Sequence, residues 1–337
     1  MGPDPKEGAT RAELLVKGAG AMSDAAVKKH APSMSGKDWI TLIALSSLWS
    51  ASFLFNEVAL EELPTFTIVF LRVFIAALAL HLLLLARGIR IPATMQLWVW
   101  FGVMGFMNNM VPFSLIVWGQ TQIDSGVASI LNATTPLFSI FLAHFFTSDE
   151  GITPARLGGI LLGVLGVAVL IGPSRLLSIF DGGVDLALLG HLALLGAACA
   201  YGISSIYGRR LKGTPPLISA AGTLTMASVW LLPVAVLSDG IPNVWPSLEV
   251  AGSILALGLF STSLAYILYF RLLASAGSVN AMLVTFLVPV GAITLGILVL
   301  GEEPGWNVFA GMGLIFAGLA AIDGRVVSRL TRRAAKI

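Results

Sequence analysis

One arginine, Arg72, lies inside a long apolar stretch of the sequence, roughly 12 Å from its nearer end at 1.5 Å per helical residue. A charged side chain at such depth in an apolar environment needs a polar cavity or a partner. Its planar guanidinium can hold a carboxylate or a phosphate through parallel hydrogen bonds, which makes Arg72 a candidate for ligand binding. The alternative is a structural role, in which Arg72 caps helix carbonyls or pairs with Glu57.

Neutral polar side chains mark the middle of two further apolar stretches. Asn108 and Asn109 lie midway along one of them, and Ser261, Thr262 and Tyr266 lie at matching depth in the other. Two adjacent amides facing lipid would be very unfavourable, so at least one of them faces the protein interior. Hydrogen bonding between helices would also account for these residues, but we favour the lining of a solute cavity.

Two more apolar stretches carry a polar residue four positions before a proline, with Asn132 before Pro136 and Thr285 before Pro289. A proline inside a helix removes one backbone donor and frees the carbonyl four residues earlier. In a membrane the freed group must be satisfied by protein or by cavity water. Interrupted helices at corresponding positions favour a transporter site, and a kink used only for packing is the alternative.

The elements that position these residues follow from composition. The chain has 337 residues, of which 56% are hydrophobic and 11% charged, against roughly 25% charged residues in an ordinary soluble domain. Helices that are apolar all round belong in lipid. Ten runs are long enough to cross about 30 Å of hydrocarbon. They cover residues 39–60, 66–86, 98–118, 126–146, 157–172, 186–207, 217–237, 250–270, 279–300 and 306–322.

Lysine and arginine residues give the predicted orientation, because they concentrate on the cytoplasmic side of a membrane. With both termini cytoplasmic, eighteen of the twenty Lys and Arg residues fall inside, Arg175 falls outside and Arg72 lies within a span. Acidic residues dominate the outer loops. We therefore expect a multi-pass protein of the plasma membrane, which is the inner membrane if the source is bacterial. Residues 1–37 are expected to form a disordered cytoplasmic tail, and residues 324–337 a basic cytoplasmic tail.

The two halves of the chain resemble each other at an offset of 152 to 153 residues. At this offset Pro136 corresponds to Pro289, and the mid-span aromatic residues Trp49 and Tyr201 correspond to each other. These two rings could stack on a solute or fill space. Because each half has five spans, an odd number, the second half enters the membrane from the opposite side. The predicted fold class is an all-α integral membrane protein with ten transmembrane helices as two inverted five-helix repeats.

Several short motifs carry a family resemblance. They are Leu48-Trp49-Ser50-Ala51-Ser52-Phe53, Leu71-Arg72-Val73-Phe74-Ile75-Ala76-Ala77-Leu78, Ala128 through Pro136-Leu137-Phe138, and Leu300-Gly301-Glu302-Glu303-Pro304. Together with the five-plus-five plan, they make the chain resemble the drug/metabolite transporter (DMT) superfamily, specifically its ten-helix EamA-type family. The resemblance implies EamA-like repeats over residues 38–173 and 185–323, and the movement of small organic solutes, often amino acids and other metabolites outward.

Other chemistry is not indicated. The sequence has no G-x-x-x-x-G-K-[ST] loop, no grouped histidines and one cysteine, Cys199, so we expect no enzyme activity, no cofactor and no metal. One deep arginine among neutral hydrogen-bonding groups favours a small zwitterion or weak acid with an apolar part as solute. The expected function is secondary transport by alternating access, as an exporter. A flippase of lipid or lipid-linked sugar is the main alternative, ahead of a membrane-embedded enzyme or a channel.

The expected partners are a small-molecule metabolite and membrane lipid, with no nucleic acid. Glycines recur in the fifth and tenth predicted spans, at Gly159, Gly163 and Gly166 and at Gly311, Gly313 and Gly318. Such small residues allow helices to approach closely. We favour packing within the chain for these glycines, and a homodimer face is the alternative.

Overall fold

The computed structural model describes residues 34–146, 153–178, 184–241 and 245–323, and no strand occurs among them. The helices that organise this part of the chain are α1 (Gly36–Leu60), α2 (Thr65–Ala86), α3 (Met95–Gln120), α4 (Ser125–Phe146), α5 (Pro154–Ile171), α6 (Leu186–Tyr207), α7 (Pro216–Ser238), α8 (Leu248–Gly277), α9 (Val284–Leu300) and α10 (Trp306–Asp323). A six-residue helix, Pro173–Ser178, follows α5, and a 3₁₀ turn, Gly208–Leu211, follows α6.

The helices have the length and composition of a membrane protein. Helices α1 to α8 are each long and apolar enough to cross a bilayer, while the apolar segments Val284–Leu300 and Trp306–Ile322 are shorter. The chain is therefore a multi-pass helical membrane protein, as the composition predicts. Most of the predicted N-terminal tail, residues 1–33, and the whole predicted C-terminal tail, residues 324–337, lie outside the described residues.

Several helix boundaries depart from the predicted ones, and two of these departures have a clear cause in the structure. Helix α1 begins at Gly36, inside the predicted tail, because Ser35 and Asp38 form a capping box at its start. Helix α8 continues past the predicted end at residue 270 and stops at Gly277, where φ is +80°. A long arginine side chain such as Arg271 can reach water from within a helix, so the charge does not end the helix. The helix ends instead at Gly277, because its positive φ is a non-helical conformation that glycine adopts readily.

The packing of the helices repeats when the two halves are exchanged. We call residues 34–178 the first half and residues 184–323 the second. Helix α2 packs on α7 and α5 packs on α10, so corresponding helices meet. Helix α1 packs on α8 and α9, and α6 packs on α3 and α4, which is the same arrangement with the halves exchanged. The contacts that hold the bundle together therefore run largely between the halves.

Glycines allow the close approach of α5 and α10, as predicted, except at Gly313, where a Cβ atom would meet nothing within 4 Å. A Cβ atom on Gly159 would come within 2.6 Å of the Gly318 carbonyl oxygen, and one on Gly166 within 2.8 Å of the Gly311 oxygen. Both distances are shorter than van der Waals contact, so only glycine fits there. These glycine faces are occupied within the chain, and a homodimer stays a prediction.

The two halves share a local irregularity at the middle of one helix each. Helix α3 contains a π-helical segment at Phe106–Met110, and α8 contains one at Leu259–Leu264. Such wide turns shift the register of the backbone hydrogen bonds and often mark functional sites. The two segments hold Asn108, Asn109, Ser261 and Thr262 of the polar residues that the sequence singles out, and Tyr266 follows the second segment by two positions.

The two prolines act differently. Helix α4 is broken at Ala133 and Thr134, just before Pro136, and the Thr135 hydroxyl donates to the Asn132 carbonyl oxygen at 2.7 Å. This is the carbonyl that Pro136 leaves without a donor, so the chain satisfies it locally. Pro289 instead lies inside the helix Val284–Leu295.

Candidate solute-binding site

The Arg72 guanidinium lies at the centre of the bundle and makes few polar contacts. The residue is only 5% exposed. Its Nε donates to the Thr262 hydroxyl oxygen at 2.9 Å, and its Cζ lies 4.0 Å above the centre of the Phe113 ring. Among the described residues the guanidinium makes no other hydrogen bond and no ion pair. Glu57, the predicted structural partner, instead accepts a hydrogen bond from Gln120 at 3.0 Å.

The two contacts of Arg72 leave most of its five N–H donors without a partner among the described residues. A desolvated cation–π contact contributes about 2 kcal/mol, and a hydrogen bond to a charged group about 1.5–3 kcal/mol. Removing one ion from water costs several kcal/mol even after relaxation, and arginine cannot escape this cost by losing its proton. A buried arginine without a carboxylate is therefore a site that a ligand can complete.

The wide turn of α8 orients Thr262 toward Arg72. The Thr262 hydroxyl donates to the Leu257 carbonyl oxygen at 2.8 Å, five residues earlier, and the Ser263 hydroxyl does the same to Gly258 at 3.0 Å. A hydroxyl has one proton, so Thr262 must use a lone pair toward Arg72. The local backbone thus fixes the position of the guanidinium.

A chain of hydrogen bonds joins α6, α3 and α8 beside this contact. The Ser204 hydroxyl donates to Asn108 Oδ1 at 2.8 Å, and Asn108 Nδ2 donates to the Tyr266 hydroxyl at 3.2 Å. The Tyr266 hydroxyl in turn donates to Asn109 Oδ1 at 2.9 Å. We call these four residues, with Arg72 and Thr262, the central cluster.

The hydrogen-bond chain ends on a buried donor without a partner. Asn109 is fully buried, and its Nδ2 has no hydrogen-bond partner among the residues that the structure describes. Exchanging the Asn109 oxygen and nitrogen would place two amide donors against each other, because Asn108 Nδ2 also lies 3.3 Å from Asn109 Oδ1. The central cluster therefore presents unmatched donors from both Arg72 and Asn109.

The structure brings some predicted site residues together and leaves others apart. Arg72, Asn108, Asn109, Thr262 and Tyr266 meet in the central cluster. The residues that no hydrogen bond or ring contact joins to it directly, within the described part of the chain, are Trp49, Asn132, Pro136, Ser261, Thr285 and Pro289.

Three of the predicted residues have other defined surroundings. The Tyr201 carbonyl oxygen lies 2.9 Å from the Ser204 hydroxyl oxygen and shares the single proton of that hydroxyl with Asn108 Oδ1. The Trp49 ring lies 5.7 Å from the Tyr269 ring. The Ser261 hydroxyl donates to the Leu48 carbonyl oxygen across the halves at 2.8 Å. The roles of all of these residues in solute binding stay predictions.

Sequence reasoning missed two residues that the structure adds to the site. Ser204 follows Tyr201 by three positions, so both lie on one face of α6, and this spacing could have pointed to it. Phe113 carries no such signal, because an aromatic residue in an apolar helix usually packs. Its place under Arg72 depends on how α2 and α3 cross.

A second polar region closes one end of the bundle, and we call it the acidic end. It comprises the loops that join α1 to α2, α3 to α4, α7 to α8 and α9 to α10. Carboxylates from one half cap helix N-termini of the other half there. Glu302 accepts from the backbone N–H groups of Ser125 at 2.7 Å and Gly126 at 3.1 Å. Asp239 accepts from the Thr67 N–H at 2.7 Å and from its hydroxyl at 3.0 Å.

Two carboxyl groups of this end have shifted proton affinities. Glu62 accepts from the Ser247 N–H at 2.8 Å, which lowers the pKa of this carboxyl because the bond favours the charged form. Partial burial, together with the negative charge of Glu302, raises the pKa of Asp124. The acidic end thus holds negative charge by means of helix N-termini rather than basic side chains.

Comparison with known proteins gives the class to which this bundle belongs. The model of the EamA-like transporter family matches the chain twice, over residues 37–172 and 188–322. The chain belongs to the EamA-like transporter family and is a transporter, as the sequence motifs indicate and consistent with the drug/metabolite transporter superfamily.

Its relatives carry general names. The chain is 25% identical to the uncharacterized transporter YoaV of Bacillus subtilis, over 84% of this chain and 95% of that protein. It is 27% identical to an uncharacterized transporter of Archaeoglobus fulgidus, over 84% and 97% respectively. The uncharacterized inner membrane transporter YedA of Escherichia coli K12 is 26% identical, over 77% and 82%. A protein of known crystal structure shares the fold with a TM-score of 0.62 and 20% identity, covering 88% of this chain and 99% of that one.

Proposed function

We propose that this transporter is a secondary carrier that exports small organic metabolites, such as amino acids, by alternating access. One observation carries the proposal. The central cluster is built from α2 and α3 of the first half and from α6 and α8 of the second, and its hydrogen bonds cross between the halves. A polar site between two halves at mid-bundle is what a rocking carrier needs.

The architecture behind this proposal is ten transmembrane helices in two inverted five-helix repeats. Three findings support it: the double match to one family, the packing that repeats on exchange of the halves, and the two π-helical segments, whose first residues, Phe106 and Leu259, are 153 positions apart. Five spans per repeat would give the copies opposite orientations in the membrane. Both termini would then be cytoplasmic, in the plasma membrane or the bacterial inner membrane.

The contacts at the ends of the bundle support a conformation that is closed at the acidic end. Carboxylates of Glu62, Asp239 and Glu302 each join the two halves there. At the opposite end, the Ser275 hydroxyl donates to the Asp38 carboxylate of the first half at 2.6 Å. Breaking the first set and forming new contacts at the opposite end would reverse access to the central cluster.

The test is counterflow with the purified full chain in liposomes preloaded with unlabelled amino acids or weak organic acids. A carrier gives transient accumulation of labelled solute that saturates and that competitors suppress, and protein-free liposomes serve as the control. Flux that rises linearly with concentration would indicate a channel. Movement of labelled lipid between leaflets without solute counterflow would favour a flippase, and chemical change of the solute would indicate an enzyme.

A further inference from the structure

We infer that the transported solute bears a single carboxylate and that Arg72 and Asn109 bind it directly. This inference rests on the proposed function, because it names the class of solute that the central cluster takes. It starts from the kind of polar group that the cluster leaves unmatched. Within the described part of the chain, the unmatched groups there are the terminal nitrogens of Arg72 and Nδ2 of Asn109.

All of these unmatched groups are hydrogen-bond donors. The acceptors of the cluster already have donors, because Thr262 accepts from Arg72, Asn109 Oδ1 accepts from Tyr266, and Asn108 Oδ1 shares the single proton of Ser204 with the Tyr201 carbonyl oxygen. Since buried polar groups in proteins are almost always paired, the missing partner must supply acceptors. A carboxylate offers two oxygens and no donor when ionised, and it also neutralises the guanidinium.

The spacing of the two residues on α8 that anchor these donors matches the reach of one small planar anion. Arg72 bonds to Thr262 and Asn109 bonds to Tyr266, and these two anchors are four residues apart on α8, or about 6 Å along the helix axis. A carboxylate whose oxygens accept at about 2.9 Å can bridge donors separated by that order of distance. The single positive charge of the cluster favours a monoanionic group over a doubly charged phosphate.

The remainder of the solute would face aromatic rings. From Tyr266 a row of rings continues through Phe270 and Tyr269 to Trp49, with centroid separations of 6.3, 5.5 and 5.7 Å. This row would contact an apolar side chain attached to the carboxylate. The cluster and the row together describe an amphipathic monocarboxylate rather than a polyol or an amine.

The experiment compares carboxylates with carboxamides of the same shape. The purified full chain in liposomes is given labelled L-leucine, L-phenylalanine, 4-methylpentanoate and 3-phenylpropionate, with 4-methylpentanamide and 3-phenylpropanamide as neutral probes. In the wild type, 4-methylpentanoate and 3-phenylpropionate should each inhibit uptake of the labelled solute at least about 10-fold more strongly than the matched amide. The reason is that hydrogen bonds to charged groups are stronger than those to neutral groups.

The variants separate binding of the carboxylate from general damage. Arg72→Gln should weaken carboxylate competition about 10- to 100-fold and change amide competition by less than about twofold. Arg271→Gln removes an equal charge from the exposed end of α8 and is the matched control, with less than about twofold change in either. Thr262→Val removes the acceptor of Arg72 Nε but keeps the charge, and should weaken carboxylate competition about 3- to 10-fold.

Several outcomes would overturn the inference. Equal competition by carboxylates and amides in the wild type would contradict it while leaving carrier function intact, and so would equal losses for both probes in Arg72→Gln. Because the wild-type comparison and Thr262→Val need no arginine variant, the test holds even where Arg72→Gln does not fold. Absence of saturable counterflow for every probe would instead contradict the proposed function itself.

Discussion

The acidic end and the central cluster both hold charge inside the helical bundle, but they treat it differently. At the acidic end, Glu302 accepts from two backbone N–H groups at a helix N-terminus, so its charge is matched by the protein itself. At the centre, Arg72 has one hydrogen bond and a ring contact to described residues, so most of its donors are unmatched. A matched charge stabilises a fold, whereas an unmatched one leaves binding energy for a ligand. Under the proposed function, the two regions would differ in role as well as in the sign of their charge.

The largest effect should come from Arg72→Met, on transport and not on stability. Loss of the guanidinium should reduce counterflow of a carboxylate on the order of 100-fold, as expected for hydrogen bonds to a charged group worth up to about 3 kcal/mol. Replacing a buried, uncompensated charge by a methionine should leave the thermal unfolding midpoint in detergent unchanged or raised. A clearly lower midpoint would mean that Arg72 is structural, and the comparison with Glu302 would fail.

Glu302→Ala should lower the stability of the fold, in contrast to Arg72→Met. It leaves the N–H groups of Ser125 and Gly126 without an acceptor and should lower the free energy of unfolding by about 2 kcal/mol. Thermal unfolding in detergent measures this. Glu303→Ala is the matched control, because Glu303 is exposed and its replacement should change stability by less than about 0.5 kcal/mol. Similar losses in both variants would show that loop charge, and not the cap, matters.

Tyr266→Phe should sharpen the account of the central cluster. Removing this hydroxyl breaks its hydrogen bonds with Asn109 Oδ1 and Asn108 Nδ2, which should cost about 1–2 kcal/mol in unfolding free energy. Tyr269→Phe is its control, since Tyr269 makes no hydrogen bond to any described residue and should change stability by less than about 0.5 kcal/mol. If the two variants behave alike in thermal unfolding, the hydrogen-bond chain does not hold the helices together.

The smallest effect concerns Asp124 at the acidic end. Burial and the charge of Glu302 raise its pKa in the folded state above the ordinary value of 3.8. A raised acid pKa means that stability falls as the pH rises through it. Because Asp124 is largely exposed, Asp124→Asn should add only a few tenths of a kcal/mol at neutral pH, a gain that disappears below about pH 3.8. Unfolding measured across pH, with and without Glu302→Ala, checks this, because the gain should shrink when Glu302 is absent.

Particular residues show how far sequence reasoning reached into the site. Arg72, Asn108, Asn109, Thr262 and Tyr266 could be selected because polar groups in apolar helices are costly and must be accommodated. Their mutual contacts could not be predicted, since these depend on which faces of α2, α3 and α8 meet. The same limit explains why the sequence made Glu57 a reasonable partner for Arg72, although in the structure the Glu57 carboxylate accepts a hydrogen bond from Gln120.

The sequence by itself determined that this chain is a multi-pass helical membrane protein of the EamA-like family. The length of the apolar segments and the motifs of the two halves are local properties of the chain, so they do not depend on how the helices are arranged. Tertiary structure alone decided that Glu302 accepts hydrogen bonds from backbone N–H groups and that most N–H donors of Arg72 have no partner among the described residues. That outcome depends on a few ångströms of helix crossing and on the wide turn of α8, which no single stretch of sequence encodes.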